Sequence, residues 1–374
     1  MPKAKQTKKS TKKSASKSES RFFAWYRTLP EWLHKLLRGK WFKAVLILSV
    51  FIYTFMWTGG TWFDFIRFTK VENPNYGVSF SAKRAEEFGL DPHANLTALL
   101  SDMGIKNYRL MSYWDEIEGT RGTFDFSELD WEINEVAKYG GTVSLAIGLR
   151  QPRWPECHEP SWAYNLAGDA WKQALYAFME VVVKRYEKNG TIINWQLENE
   201  AYNTWFGTCD APDDQRIKEE FSLVRSWSDK PIWMSLSDQH GYPINQPVPD
   251  EYGYSVYRWV WNTKFPPYGT YLIYPTPVWY HRLRASIIKA YTGKDIFIHE
   301  LQLEPWGPKD TKFLSVEEQN KSMSLQQIHD SISFAREIGA KDIYVWGGEW
   351  WYWRKVNGDP SVWNTVKYEL ETQR

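Results

Sequence analysis

The 374-residue chain is long enough for two ordinary domains or one α/β barrel, and its 46 Lys/Arg against 45 Asp/Glu leave a formal charge of +1. That balance hides an asymmetry: residues 1–40 hold twelve Lys/Arg against Glu19 and Glu31, about +10, which leaves about −9 for the remainder. An acidic main body argues against a nucleic-acid partner, because phosphate recognition needs a basic face and the basic residues lie in the tail.

Residues 1–20 are low-complexity Lys/Ser and too polar to bury a core, so a disordered start is expected. Residues 21–40 mix aromatic and basic side chains, as an inner-surface stretch beside a membrane would, or a plain linker. Ala44 to Phe63 then carries no charge over about 20 residues, the length a helix needs to cross a bilayer. Lys40 and Lys43 flank one end, and Trp57, Trp62 and Phe63 suit the interfacial belt at the other. The expectation is a cytoplasmic tail over 1–40, a signal anchor contacting the lipid bilayer over 41–63, a linker over 64–73 and an extracytoplasmic domain over 74–374. A cleaved signal peptide and a buried core helix are the alternatives.

After Asn73-Pro74 short β-rich runs alternate with helical patterns, the rhythm of parallel strands with crossover helices. The strands are expected at Tyr76–Ser81, Lys106–Met111, Thr142–Ile147, Ile192–Glu198, Pro231–Leu236, Gly253–Tyr257, Asp295–His299 and Asp342–Trp346. The clearest helices are Ser127–Tyr139, Ala170–Glu187, Val278–Tyr291 and Ser315–Ile338, with apolar residues spaced by three and four. Eight units suggest a (β/α)8 barrel with a degenerate fifth crossover in the Pro-rich 237–252. An open doubly wound sheet is the rival, weakened because no glycine-rich phosphate-binding turn follows the first strand.

Barrel chemistry sits at the C-terminal ends of the strands, so the side chains there are the informative ones. The fourth run ends in Asn194-Trp-Gln-Leu-Glu-Asn-Glu200 and the seventh in Ile296-Phe-Ile-His-Glu300, placing two carboxylates at one face. Such a pair suits glycoside hydrolysis: one carboxyl protonates the leaving oxygen while the other attacks or stabilises the anomeric carbon. Glu198 and Glu304 compete for these roles, and Glu349 reads mainly as a surface group. Trp114, Trp154, Trp162, Trp205, Trp306 and Trp350 fall on the rim loops where a sugar chain would stack. His240 and Tyr257 complete the set of candidate substrate contacts. Cys157 and Cys209 fall on neighbouring loops at the same end, a candidate disulfide in an oxidising compartment. The seven His show no metal-ligand spacing, and His240 and His299 read as hydrogen-bonding groups, so neither a metal nor a cofactor is expected.

Over residues 74–374 the chain resembles the clan A glycoside hydrolases, which include the family 5 cellulases, family 10 xylanases and family 39 and 42 glycosidases. Asn199-Glu200 matches their strand-four Asn-Glu, Glu300 in FIHELQ matches the strand-seven nucleophile, and Arg109 in NYRLMSYW matches the strand-two Arg that orients it. The segment YWDEIEGTRGTFDFSELD is similar to a stretch common to families 35, 39 and 42, with Gly119 where many relatives carry Pro. Trp346 stands where relatives place a Trp under the sugar. The resemblance implies a retaining hydrolase of a β-linked oligo- or polysaccharide, with Glu200 as acid/base, Glu300 as nucleophile and Asn199 on the sugar's 2-hydroxyl. A tethered carbohydrate-binding protein without catalysis, and a transglycosylase using the same residues, are the alternatives.

Overall fold

The structure is a computed structural model that describes residues 30–31, 35, 39–58, 71, 73–236, 240–264 and 266–372. The expected disordered start at 1–20, and Trp62 and Phe63 of the expected interfacial belt, lie outside the described residues. The chain divides into two compact units after Thr58.

In the first unit, Lys40–Thr58 forms a 19-residue helix. Among the described residues no helix is long and apolar enough to cross a membrane. The expected span over 41–63 therefore finds no support among the described residues, and residues 59–63 of it lie outside them. The helix carries the uncharged run from Ala44 through Thr58, about 22 Å at 1.5 Å per residue.

The second unit is a closed barrel of eight parallel strands: β1 (Asn75–Ser79), β2 (Asn107–Met111), β3 (Thr142–Ile147), β4 (Ile192–Leu197), β5 (Ile232–Ser235), β6 (Glu251–Val256), β9 (Ile296–Gln302) and β10 (Asp342–Trp346). Their order, β1-β10-β9-β6-β5-β4-β3-β2, closes on itself and excludes the open doubly wound sheet. Between β6 and β9 the chain inserts an antiparallel hairpin, β7 (Trp259–Asn262) and β8 (Thr270–Ile273), which the sequence reading does not anticipate. Alternate strand residues such as Val78, Leu110, Leu145 and Ile298 enter one apolar core with Leu99, Ile133, Met179 and Ile332 of the surrounding helices.

Two helical details depart from expectation. Asp214–Trp227 is a helix whose periodicity is muted because its buried face carries Arg216 and Glu220 beside Ile217 and Val224. The single helix expected over Ser315–Ile338 is two, Val316–Ser322 and Leu325–Ile338. Ser324 and Gln327 form a reciprocal capping box that starts the second. The fifth crossover has no helix among the described residues, as expected.

The barrel lumen is filled, not hollow. Trp233, Phe297 and Tyr344 pack together at its lower end. Gly77 and Gly253 admit them: a Cβ on Gly77 would lie 2.7 Å from the Tyr344 ring, and one on Gly253 2.8 Å from that of Phe297. Gly77→Val is expected to destabilise the protein by about 1–3 kcal/mol through overpacking. Urea unfolding measures this, with Gly190→Ala, which meets nothing within 4 Å, as the near-neutral control.

Candidate active site

Beyond β4 the chain turns through Glu198 (φ 53°), Asn199 and Glu200 (φ 47°), with two non-glycine residues in the left-handed region. Such a turn persists only when its surroundings hold it. Here the backbone N–H groups of Glu198, Asn199 and Glu200 donate to Ile147 O (2.9 Å), Arg150 O (2.6 Å) and Ser235 Oγ (2.7 Å). Glu198 faces the β3 loop, where its carboxylate accepts from Leu149 N (2.7 Å), Arg150 N (3.0 Å) and Arg216 Nη1 (3.0 Å). It braces two loops and is occupied there. Glu200 faces the lumen, accepting from Ser255 Oγ at 2.5 Å and Asn203 Nδ2 at 2.6 Å.

Glu300 reaches the same space through an irregularity in β9. Tyr254 pairs with Ile298 but Ser255 pairs with Glu300, and on the other side Ile343 pairs with Ile298 but Val345 with Leu301. One extra residue, His299, is thus inserted as a bulge. Ile298 and Leu301 both keep to the outer core, while His299 and Glu300 both turn inward. Arg109 Nη1 donates to Glu300 Oε1 at 3.0 Å and Tyr257 Oη to Oε2 at 2.9 Å. His299 Nε2 lies 3.7 Å from Oε1 of each glutamate, and one oxygen of each carboxyl and a His299 nitrogen lie within 4.8 Å of one another. Among the described residues these three are the one His/Cys/Asp/Glu group spaced to hold a metal.

The environments differ electrostatically. Burial first, and then the charge of Glu300, push the Glu200 carboxyl well above the usual range, against the opposing hydrogen bonds of Ser255 and Asn203. Burial, together with Arg109 and Arg284, holds the His299 imidazole well below its ordinary value and so neutral. Arg109 is fully buried and also donates to Asn199 Oδ1 (2.6 Å), Ser79 Oγ (3.3 Å) and Gln196 Oε1. Asn199 Nδ2 in turn donates to Glu156 Oε2 at 3.0 Å. Glu156 is a third carboxyl in the site, pushed up to about 8 by burial against the pull of Arg150.

Glu304 belongs to a separate network. Arg153 donates to Glu304 at 2.8 Å and to Glu349 at 2.5 Å, and Arg84 reaches Glu304 at 3.1 Å. Burial works upward on Glu304, but the two guanidiniums more than reverse it and hold its carboxyl low. Glu349 is fully buried, not a surface group, with Ser81 N donating to it at 2.8 Å.

The aromatic candidates separate. Trp306 meets Tyr257 and Phe206 with ring centroids 5.3 and 5.5 Å apart, and Phe206 meets Trp154 at 5.8 Å, an aromatic chain linking the loops after β3, β4 and β9 to the end of β6. Trp205 is exposed on the β4 loop, and Trp346 lies under the Arg153 guanidinium at 3.9 Å. Trp114 and Trp350 are corrections: both are fully buried, donating to Glu118 and Gln319 and serving the core instead of the rim. Trp162 packs edge-on against Trp114 and donates to Glu118 O. His240 sits beside Tyr280 and Tyr274. Cys157 and Cys209 are bonded, clamping the β3 and β4 loops together.

Sequence reading misses Ser255, Asn203, Gln196 and Glu156. Ser255 stands two residues before Tyr257 and so shares its face of the strand, the one signal available in advance.

The fold and the paired carboxylates define a class: a (β/α)8 barrel of the kind carried by many glycoside hydrolases, which are numerous among its structural neighbours. The chain is similar to a family 10 endo-β-1,4-xylanase from Gloeophyllum trabeum at a TM-score of 0.51 and 15% identity, over 79% of this chain and 96% of that one. It is similar to an exo-β-1,4-mannosidase from Opitutaceae bacterium strain TAV5 at 0.52 and 13%, over 80% and 59%. Endo-glycoceramidase II from Rhodococcus sp. matches at 0.50 and 15%, over 73% of each chain. A β-galactosidase of Halorubrum lacusprofundi is 26% identical over 121 residues, 28% of this chain and 17% of that relative. No family model matches.

Arg153→Met leaves Glu304 and Glu349 without their shared buried cation. It is expected to destabilise the protein by about 3–5 kcal/mol, measured by chemical denaturation.

Proposed function

We propose that the protein is a retaining O-glycoside hydrolase acting on a β-linked oligo- or polysaccharide, with Glu200 as general acid/base and Glu300 as nucleophile. The observation that carries the reading is the facing pair itself. One oxygen of each carboxyl lies within 4.8 Å of the other, which favours the roughly 5–5.5 Å carboxyl separation of retaining enzymes over the roughly 6.5–9.5 Å that leaves room for an inverting water. The two roles fit the two environments. Glu200 keeps its proton in a desolvated pocket and so has one to give to the leaving oxygen. Glu300 is held by Arg109 and Tyr257, oriented for attack on the anomeric carbon. Asn199, fixed by Arg109 and Glu156, has a second amide hydrogen left for the sugar's 2-hydroxyl. The xylanase and mannosidase carry β-linkage in their names, which supports the same linkage here.

The test is turnover of a panel of aryl glycosides and polysaccharides by the full chain. Glu200→Gln and Glu300→Ala are each expected to lower kcat/KM by at least about 10²–10⁴-fold with the fold retained. Proton NMR of the first product is expected to show the substrate's anomeric configuration. An inverted product overturns the double displacement, and glycan binding without turnover by the wild type favours the non-catalytic reading. Because the acid must be protonated, activity is expected to fall as pH rises through the Glu200 pKa. That places the alkaline limb well above the ordinary carboxyl value of about 4.3.

We place the catalytic unit in an extracytoplasmic, oxidising compartment, a reading the Cys157–Cys209 bond supports. Thiol alkylation of protein taken directly from its native cells is expected to label neither cysteine. Labelling of both overturns the placement.

A further inference from the structure

We infer that Glu200, His299 and Glu300 form a chelating site for a divalent transition metal of the Zn²⁺ class, whose occupancy blocks the catalytic pair. The inference starts from His299. Its side chain is fully buried, and Nε2 has no hydrogen-bond partner although it points between the two carboxyls. A buried imidazole nitrogen left unmatched costs free energy, so its position calls for a ligand. The bulge in β9 is what brings it there, since regular alternation would turn either His299 or Glu300 away.

Nε2 stands 3.7 Å from Oε1 of Glu200 and 3.7 Å from Oε1 of Glu300, and the three donor groups lie within 4.8 Å of one another. A cation equidistant from donors so spaced is at most about 2.4 Å from each, against roughly 2.0–2.2 Å in zinc sites. Closing the gap takes side-chain shifts of a few tenths of an ångström. One imidazole nitrogen and two carboxylate oxygens suit Zn²⁺ far better than Mg²⁺, which prefers all-oxygen octahedral sites. Three protein donors leave a fourth position for water. Both residues are nearly but not fully buried, with side-chain exposures of 10% for Glu200 and 7% for Glu300. Arg109 stands against the site, since its guanidinium already serves Glu300 at 3.0 Å; it tempers the affinity without filling the space between the donors.

Metal binding displaces the Glu200 proton to solvent, and the ion then ties up that oxygen and the one that must attack, so it competes with substrate. That consequence rests on the proposed hydrolase mechanism, whereas the chelate itself does not. The test therefore reads binding apart from activity. Metal-free full-length protein is titrated with ZnCl₂ by calorimetry, alongside His299→Leu and Glu300→Gln, with melting temperatures confirming that each variant folds. Expected are one tight Zn²⁺ site in the wild type and affinity lowered at least 30-fold in each variant. Glu300→Gln keeps the residue's shape, so it decides alone if His299→Leu does not fold. Absence of a site in the wild type, or Zn²⁺ binding that survives in either folded variant, overturns the proposal. Where an active glycoside is found, Zn²⁺ is further expected to raise KM without lowering kcat, reversibly with EDTA. Binding without inhibition leaves the chelate standing and counts against the assigned roles of Glu200 and Glu300.

Discussion

A guanidinium with no solvent exposure must be matched on every side, and Arg109 is that guanidinium. From β2 it reaches Ser79 at the end of β1, Gln196 on β4, Asn199 beyond β4, and Glu300 on β9. Three other strands converge on one cation because leaving it unpaired in the barrel would cost several kcal/mol. The same contacts fix Glu300 and set the Asn199 amide, so the geometry of the site follows from satisfying a buried charge. Its neighbour Glu200 experiences the other side of that arrangement: burial and the nearby charge of Glu300 push its carboxyl well above the usual range.

Two local departures from regular β structure complete the arrangement. The left-handed residues after β4 turn Glu198 into the β3 loop and Glu200 into the lumen. The bulge in β9 brings His299 and Glu300 to the same side. Each departure is held by its surroundings. Glu198 accepts from two backbone N–H groups of the β3 loop, and Gly148 must lack a side chain because a Cβ there would lie 2.4 Å from the Glu198 carboxylate. The disulfide and the Trp154–Phe206–Trp306–Tyr257 contacts then tie the loops above into one rim.

Much of the barrel was legible because its signal is local. Thr142–Ile147 and Asp342–Trp346 agree to the residue, and the other six strands to within a few, since buried parallel strands are short apolar runs between breakers. The helix Asp214–Trp227 was not, because its buried Arg216 and Glu220 are polar in composition yet satisfied by each other and by Glu198. Composition misled at Trp114 and Trp350. Their loop positions suggested exposure, but each indole N–H finds a buried acceptor and the ring joins the core.

By itself the sequence determined the eight-unit rhythm, the two strand-end glutamates, the arginine that serves Glu300, and the cysteines on adjacent loops. The rhythm, the glutamates and the cysteines follow from residue type and spacing along the chain, and the arginine from the resemblance to the clan A enzymes. Only the tertiary structure decided which way each side chain points. Glu198 and Glu200 share strand parity, and a regular β9 would separate His299 from Glu300. Pairing register and left-handed turns settle both matters, and they depend on strands far apart in the chain. For the same reason Ser255, Asn203 and Glu156 joined the site only once the barrel had closed around Arg109.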